Sequence, residues 1–188
     1  MNIEKLVVEL SKDPFNPRLN FDTAVEYERL NQTASAVSFY LRTAEYGKQP
    51  ADKELIYTSL LKMAHCFNDQ KDRVYTVTNC LLQAIEVWPE RPEGWFLLSQ
   101  YHERASAWQE TYTFAKVGLS KTTFFEPLPA DVGYYGEYCL LFEQAVSAYW
   151  IGRKEESIRL FDYLASRELA PEYVHAVQEN IRRLRAAI

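Results

Sequence analysis

The sequence predicts an all-α fold of short antiparallel helix pairs stacked side by side. Three observations predict it. Apolar residues recur at helical spacing along almost the whole chain. Proline, glycine and asparagine punctuate that pattern every dozen or so residues. Small residues on one helix face aromatics on the next in successive pairs, the packing that close antiparallel helices require. β-Branched runs are few, and no strand signal competes.

The clearest stretch is Cys80–Glu103, CLLQAIEVWPERPEGWFLLSQYHE. Leu81, Leu82, Ile85 and Trp88 repeat at helical spacing around Ala84. Pro89 disfavours helix at Trp88 and should stop it there. Pro92 suits a first helical position, and Glu93 adds negative charge near the new N-terminus. Trp95, Leu98, Ser99 and His102 then define the next helix face. This is a join between two units of a helical repeat.

The other elements follow in order. Residues 1–11 form an amphipathic helix with Ile3, Leu6, Val7 and Leu10 on one side, and DPFNP (13–17) is a turn. Helices are expected at about 19–30, 33–46, 51–67, 73–88, 93–104, 108–119, 134–151, 155–166 and 171–187. Asn31 and Gln32 break the first of these from the second, Gly47 stops the second, and Gly152 ends the long helix. The arrangement is read as one domain, 1–188, with pairs at about 17–46, 51–88, 92–119 and 134–166. A last helix over 171–187, apolar on the Val174, Val177, Ile181 and Leu184 stripe and polar opposite, caps the stack. The 120–133 segment is the longest non-helical stretch and is apolar for a loop. Phe124, Phe125 and Leu128 are expected to seal an end of the stack, with a functional loop as the alternative.

Composition narrows the function classes. With 188 residues and 47% hydrophobic content the chain has ample material for a core. A net charge of -5 gives no reason to expect a nucleic-acid backbone as main partner. Arg182, Arg183 and Arg185 sit where a helix end favours positive charge. Cys66, Cys80 and Cys139 are an odd, widely spaced set within apolar helical patterns. They read as buried thiols in a reducing, cytoplasmic setting. No run has the length and apolarity of a signal peptide or membrane span, so no membrane association is expected. Asn31-Gln32-Thr33 matches a glycosylation triplet by chance.

The repeat pattern has Ala24, Tyr27, Ala36 and Tyr40 in the first pair, and Leu81, Ala84 and Pro89 in the second. Trp95, Leu98, Ser99 and Gly118 carry it in the third, and Ala145, Ala148, Gly152, Ser157 and Phe161 in the fourth. This resembles the tetratricopeptide repeat (TPR), with a period of about 34 to 40 residues, over roughly 17–166. The first pair, AVEYERLNQTASAVSFYLRTA, follows the family pattern best, with Asn31 where a turn glycine is usual. The second pair departs in its longer first helix, and the third in Thr111 where alanine is expected. The implied fold is a TPR-like α-solenoid.

A narrower resemblance rests on Trp88, Pro89, Arg91, Pro92 and Glu93, the loop FFEPLPAD, and Tyr149, Trp150 and Gly152. These look like the TPR-like helical region that accompanies certain glycosyltransferases. The resemblance implies a companion to carbohydrate transfer, not the transferase.

Catalytic constellations are missing. The sequence has no glycine-rich phosphate loop and no Asp-x-Asp. His65 and Cys66 point about 100° apart on a helix, which makes them poor joint metal ligands. His102 and His175 stand alone. Glu90, Glu93 and Glu103 read as charged turns and solvated helix faces. No enzyme activity, cofactor or metal is expected.

In TPR proteins the first helix of each pair lines the concave face. By that resemblance the partner-facing residues are Arg18, Phe21, Val25 and Arg29 in the first pair, His65 and Asn68 in the second, and Phe96, Gln100, Glu103 and Arg104 in the third. For Phe21, Val25 and Phe96 a core position is the alternative. Chaperone-tail binders of the family carry Lys and Asn at such places, where Phe21 and Val25 stand, so carboxylate clamping is not implied. The expected function is a non-catalytic scaffold that binds or positions a protein, by resemblance a glycosyltransferase catalytic domain in cis or trans. The alternatives are a carbohydrate-binding accessory part using Trp95, Trp108, Tyr134, Tyr135 and Trp150, and, less favoured by the charge, a nucleic-acid-binding repeat.

Overall fold

A computed structural model describes residues 2–68, 70, 73–121 and 126–186. Phe124 and Phe125, expected to seal the stack, lie outside these residues. The described residues form ten α-helices and one short 3₁₀ turn, with no strand among them. The helices are α1 (Ile3–Lys12), α2 (Pro17–Arg29), α3 (Thr33–Tyr46), α4 (Lys53–Asn68), α5 (Val74–Val87), α6 (Pro92–Arg104), α7 (Trp108–Leu119), α8 (Glu137–Trp150), α9 (Lys154–Ala165) and α10 (Pro171–Ala186). The 3₁₀ turn is Pro50–Asp52. Contacts divide the chain into two compact units. One is Met1–Pro89 with Phe124–Val132, the other Glu90–Thr123 with Gly133–Ile188.

In the first unit α2 packs on α3, α3 on α4, and α4 on α5. Pro17 sits at the first position of α2, and the Asn16 side chain accepts the Leu19 N–H at 3.1 Å, a capping bond that starts the helix two residues earlier than expected. Asn20 is fully buried and donates to the carbonyls of Pro14 and Asn16, which ties the DPFNP turn to the helix. Ala24 and Ala36 are also fully buried, and Tyr40 meets Phe21 edge to face at 5.8 Å. The small-against-aromatic pattern thus becomes the α2–α3 interface. Trp88, just past α5, meets Tyr57 of α4 edge to face, with the Lys53 ammonium 4.8 Å from its ring.

In the second unit α6 packs on α7, α7 on α8, α8 on α9, and α10 on α9. One core cluster joins Phe96, Ala115, Cys139 and Leu140. Another joins Ala145, Phe161, Leu164, Val177 and Leu184, so the Val177/Leu184 stripe of α10 is packed down. Two serines bridge their pairs: Ser99 Oγ donates to Thr111 O at 2.9 Å, and Ser157 Oγ to Ala145 O at 2.7 Å. Helix α8 begins at Glu137, three residues later than expected, because Gly136 takes φ 135°, far outside helical geometry.

Three of the pairs close with one backbone device. Asn31, Ser106 and Gly152 adopt φ of 57°, 56° and 84°. The next residue's N–H then reaches back to Tyr27 O, His102 O and Ala148 O respectively. This is the Schellman closure, which satisfies carbonyls that a helix end leaves bare. The repeat is therefore written in backbone geometry as well as in side-chain size.

Gly118 of α7 marks a close approach of neighbouring helices. A Cβ there would fall 2.8 Å from Leu140 Cδ2 and 2.9 Å from the Trp95 Cβ. Gly118→Ala gains about 1 kcal/mol of helix propensity but overpacks a site where such insertions cost about 1–3 kcal/mol. The expected result is a net loss of about 1 kcal/mol, larger for Gly118→Val, read from urea denaturation. An unchanged or raised midpoint for both variants would contradict the contact.

Candidate functional site

The residues expected to face a partner fall in both units. On α2, Arg18 and Arg29 are exposed and pair with Asp22 and Glu26 at 3.0 and 2.7 Å, while Val25 is half-buried. Phe21 and Phe96 are each 1% exposed. That corrects their assignment to a binding face: each ring is held in the core, Phe21 against Tyr40 and Phe96 against Tyr134. His65 is exposed and Asn68 half-buried on α4. On α6, Gln100, Glu103 and Arg104 share one face at helical spacing. Gln100 and Glu103 are half-buried, Arg104 is exposed, and its guanidinium donates to Gln100 Oε1 at 3.0 Å.

The first helices of neighbouring pairs touch directly, α2 with α4 and α6 with α8. Each contact carries polar groups that the sequence reading missed. In the first unit Lys62, its side chain 13% exposed, places its ammonium 2.6 Å from Glu28 Oε1. The other oxygen, Glu28 Oε2, accepts the Tyr40 hydroxyl at 2.6 Å. Burial, with the Glu28 bond and charge, pushes the Tyr40 phenol far above its ordinary value, so it stays a proton donor. Lys62 lies three residues before His65, and that spacing was the available signal.

In the second unit Glu143 of α8 is 4% exposed and its Oε2 makes no hydrogen bond. Burial pushes its carboxyl up to about 8; the Glu103 charge adds to the rise and Arg104 opposes it. Nothing in the string Phe142-Glu143-Gln144 distinguishes this glutamate from a solvated one. Gln144 donates to Glu156 Oε1 at 2.9 Å, as does the Tyr112 hydroxyl at 2.8 Å. Burial works against the Glu156 charge, but bonds from Tyr112, Arg153 and Gln144 outweigh it and hold that carboxyl below its usual range.

The Arg91–Glu93 element of the join also differs from expectation. Arg91 and Glu93 are 2% and 7% exposed. Arg91 NH2 donates to Glu93 Oε1 at 2.6 Å, and Nε to Oε2 at 3.0 Å. Glu93 is thus a buried, bidentate partner and not a solvated turn charge. The reason is geometric: the Pro92 turn sets both side chains on the same side at the start of α6.

Four of the five aromatics considered for sugar stacking, Trp95, Trp108, Tyr134 and Trp150, meet other rings. Trp150 stacks on Trp108 at 5.3 Å, Trp95 tilts against Phe114, and Tyr134 covers Phe96. Trp150 remains 59% exposed and Tyr135 54%. Cys66, Cys80 and Cys139 are buried and form no disulfide. Among the described residues no group of three metal-ligating side chains converges, and no helix is long and apolar enough to cross a membrane.

No protein-family profile matches the chain. No curated protein matches it in sequence. Similar solved structures exist at low identity. The MamA protein is 11% identical with a TM-score of 0.62, the match covering 90% of this chain and 87% of that one. YrrB, described as a TPR protein with an unusual peptide-binding site, is 11% identical with a TM-score of 0.60, covering 94% and 81%. The APC/C hetero-tetramer Cut9-Hcn1 gives 12% identity and a TM-score of 0.64, covering 97% of this chain and 33% of that one. Likeness of this kind speaks to fold alone. The chain has the helical-repeat fold of TPR proteins and belongs to the TPR-like α-solenoid fold class.

Proposed function

We propose that the chain is a non-catalytic helical-repeat scaffold that binds a protein partner through the faces of its first helices. The observation that carries this reading is the α6 face: Gln100, Glu103 and Arg104 stand within one turn, polar and at least partly accessible, on a helix whose core side is filled by Phe96 and Leu98. A TPR-like fold supports it, since single helix pairs leave faces that stacking does not fully consume. YrrB's described peptide-binding site is a precedent in a similar fold. As the partner we propose a glycosyltransferase catalytic domain, in cis or trans. Its support is the Trp88–Glu93 join and the Tyr149, Trp150 and Gly152 helix end. An accessory carbohydrate-binding role has one favourable feature, the exposed Trp150, and its ring already stacks on Trp108.

A photo-crosslinking residue at Gln100, compared with one at Tyr75 on α5, tests the scaffold reading. Tyr75 is 91% exposed and lies on a second helix. In lysate of the native cell the Gln100 probe should give a discrete protein adduct that the Tyr75 probe lacks, and Arg104→Glu should reduce it at least several-fold. Equal adducts at both positions, or none, would refute binding through this face.

A further inference from the structure

Residues 126–132, EPLPADV, lie between α7 and α8 in sequence, yet fold as part of the first unit. There the Lys62 ammonium donates to the backbone carbonyl of Asp131 at 3.2 Å, across 69 positions of chain. The same ammonium is fixed on its other side by Glu28, which is fixed in turn by Tyr40. Lys62 is therefore a positioned donor on the α4 face, aimed at a main-chain oxygen.

The segment it holds has the form of a bound peptide. It contains no helix or strand and bends at Pro129 and Ala130. Pro127 and Pro129 lack N–H groups, and each biases the residue before it towards extended backbone. Such a segment offers carbonyls while demanding few donors in return, which is the economy used in recognition of proline-rich segments. Leu128 and Val132 are half-buried, whereas Glu126, Pro127 and Asp131 are exposed. Leu128 and Val132 are thus partly covered, the charged side chains stay out, and a lysine holds the backbone.

We propose that the Lys62 face of α4 is a docking surface for a short, non-helical, acidic segment containing proline and leucine, and that residues 126–132 occupy it in cis. A partner segment of the same chemistry then has to displace this strap. Tethering presents the strap at an effective concentration on the order of millimolar, so an outside peptide binds the intact chain weakly. The proposal deepens the scaffold reading, but it concerns the first unit, whereas the crosslinking test probes α6 in the second. Either can fail without the other.

The probe is a fluorescein-labelled synthetic peptide, EPLPADVG, with a scrambled sequence as control. The proteins are the full chain, a full chain in which 126–132 is replaced by seven Gly/Ser residues, and the latter with Lys62→Met. The strap-replaced chain should bind the peptide at least ten-fold more tightly than the native chain, and Lys62→Met should remove at least ten-fold of that affinity. A folded strap-replaced chain that binds no better than the native one, or binds the scrambled peptide equally, overturns the proposal. If the replacement fails to fold, hydrogen exchange on the native chain and Lys62→Met decides. Amides of Leu128, Ala130, Asp131 and Val132 should lose at least ten-fold protection in the variant while α4 keeps its own. Unchanged strap protection overturns the proposal equally.

Discussion

Arg91→Ala is expected to be among the most destabilising single substitutions in the chain, costing about 3–5 kcal/mol. The mechanism is the charge left behind. Glu93 is 7% exposed and its carboxylate receives two parallel bonds from the guanidinium. Removing the arginine takes both bonds of the fork from a buried carboxylate, and the part of its desolvation that the fork offsets is lost. Arg91→Lys should recover only part of the loss, since a point charge cannot make the paired geometry. The double variant Arg91→Met/Glu93→Leu should recover most of it, because a buried pair replaced by apolar groups of similar volume is often neutral or better. Urea denaturation of the four proteins checks this. A single variant within about 1 kcal/mol of the native chain would mean the pair behaves as a surface ion pair, and the account would be wrong.

Glu143→Gln is expected to change how stability depends on pH. The folded carboxyl titrates near 8, against 4.5 for the unperturbed group. Between those values the folded chain keeps a proton that the unfolded chain gives up. Stability contributed through this group is therefore full below about 4.5 and declines as pH rises towards about 8. The charges facing it are Glu103 and Arg104 from α6, with Tyr173 of α10 and Cys139 of its own helix sensing it. An amide mimics the protonated acid, so the variant should resemble the native chain at pH 5. At pH 8 it should exceed it by on the order of 2–4 kcal/mol. The difference between the two proteins isolates this group from other titrations. A difference that stays flat across pH 5–8 would show that Glu143 is solvated in the folded state.

Helix existence and pairing were readable because they depend on local pattern. The Pro89/Pro92 punctuation stops α5 and opens α6 whatever surrounds it. Asn31 was recognisable as a stand-in for a turn glycine because short amides tolerate the left-handed region, and its φ of 57° agrees. Ser106 takes the same conformation with far less signal, since serine is common in any turn.

Side-chain fate was harder to read. Repeat position leaves Phe21 and Phe96 open to a partner face or the core, and each is closed over by an aromatic from another element, Tyr40 and Tyr134. Lys62, Glu28 and Tyr40 converge from three helices, and no spacing within one segment encodes that meeting.

By itself the sequence determined the helices, most of their ends to within about two residues, and the small-against-aromatic pairing, because propensity, capping and periodicity act over a few residues. Tertiary structure alone decided which charges are buried and what they meet: Arg91 with Glu93, Glu143 near Glu103 and Arg104, Lys62 between Glu28 and the Asp131 carbonyl. Burial is a property of what packs above a residue, and that neighbour comes from elsewhere in the chain.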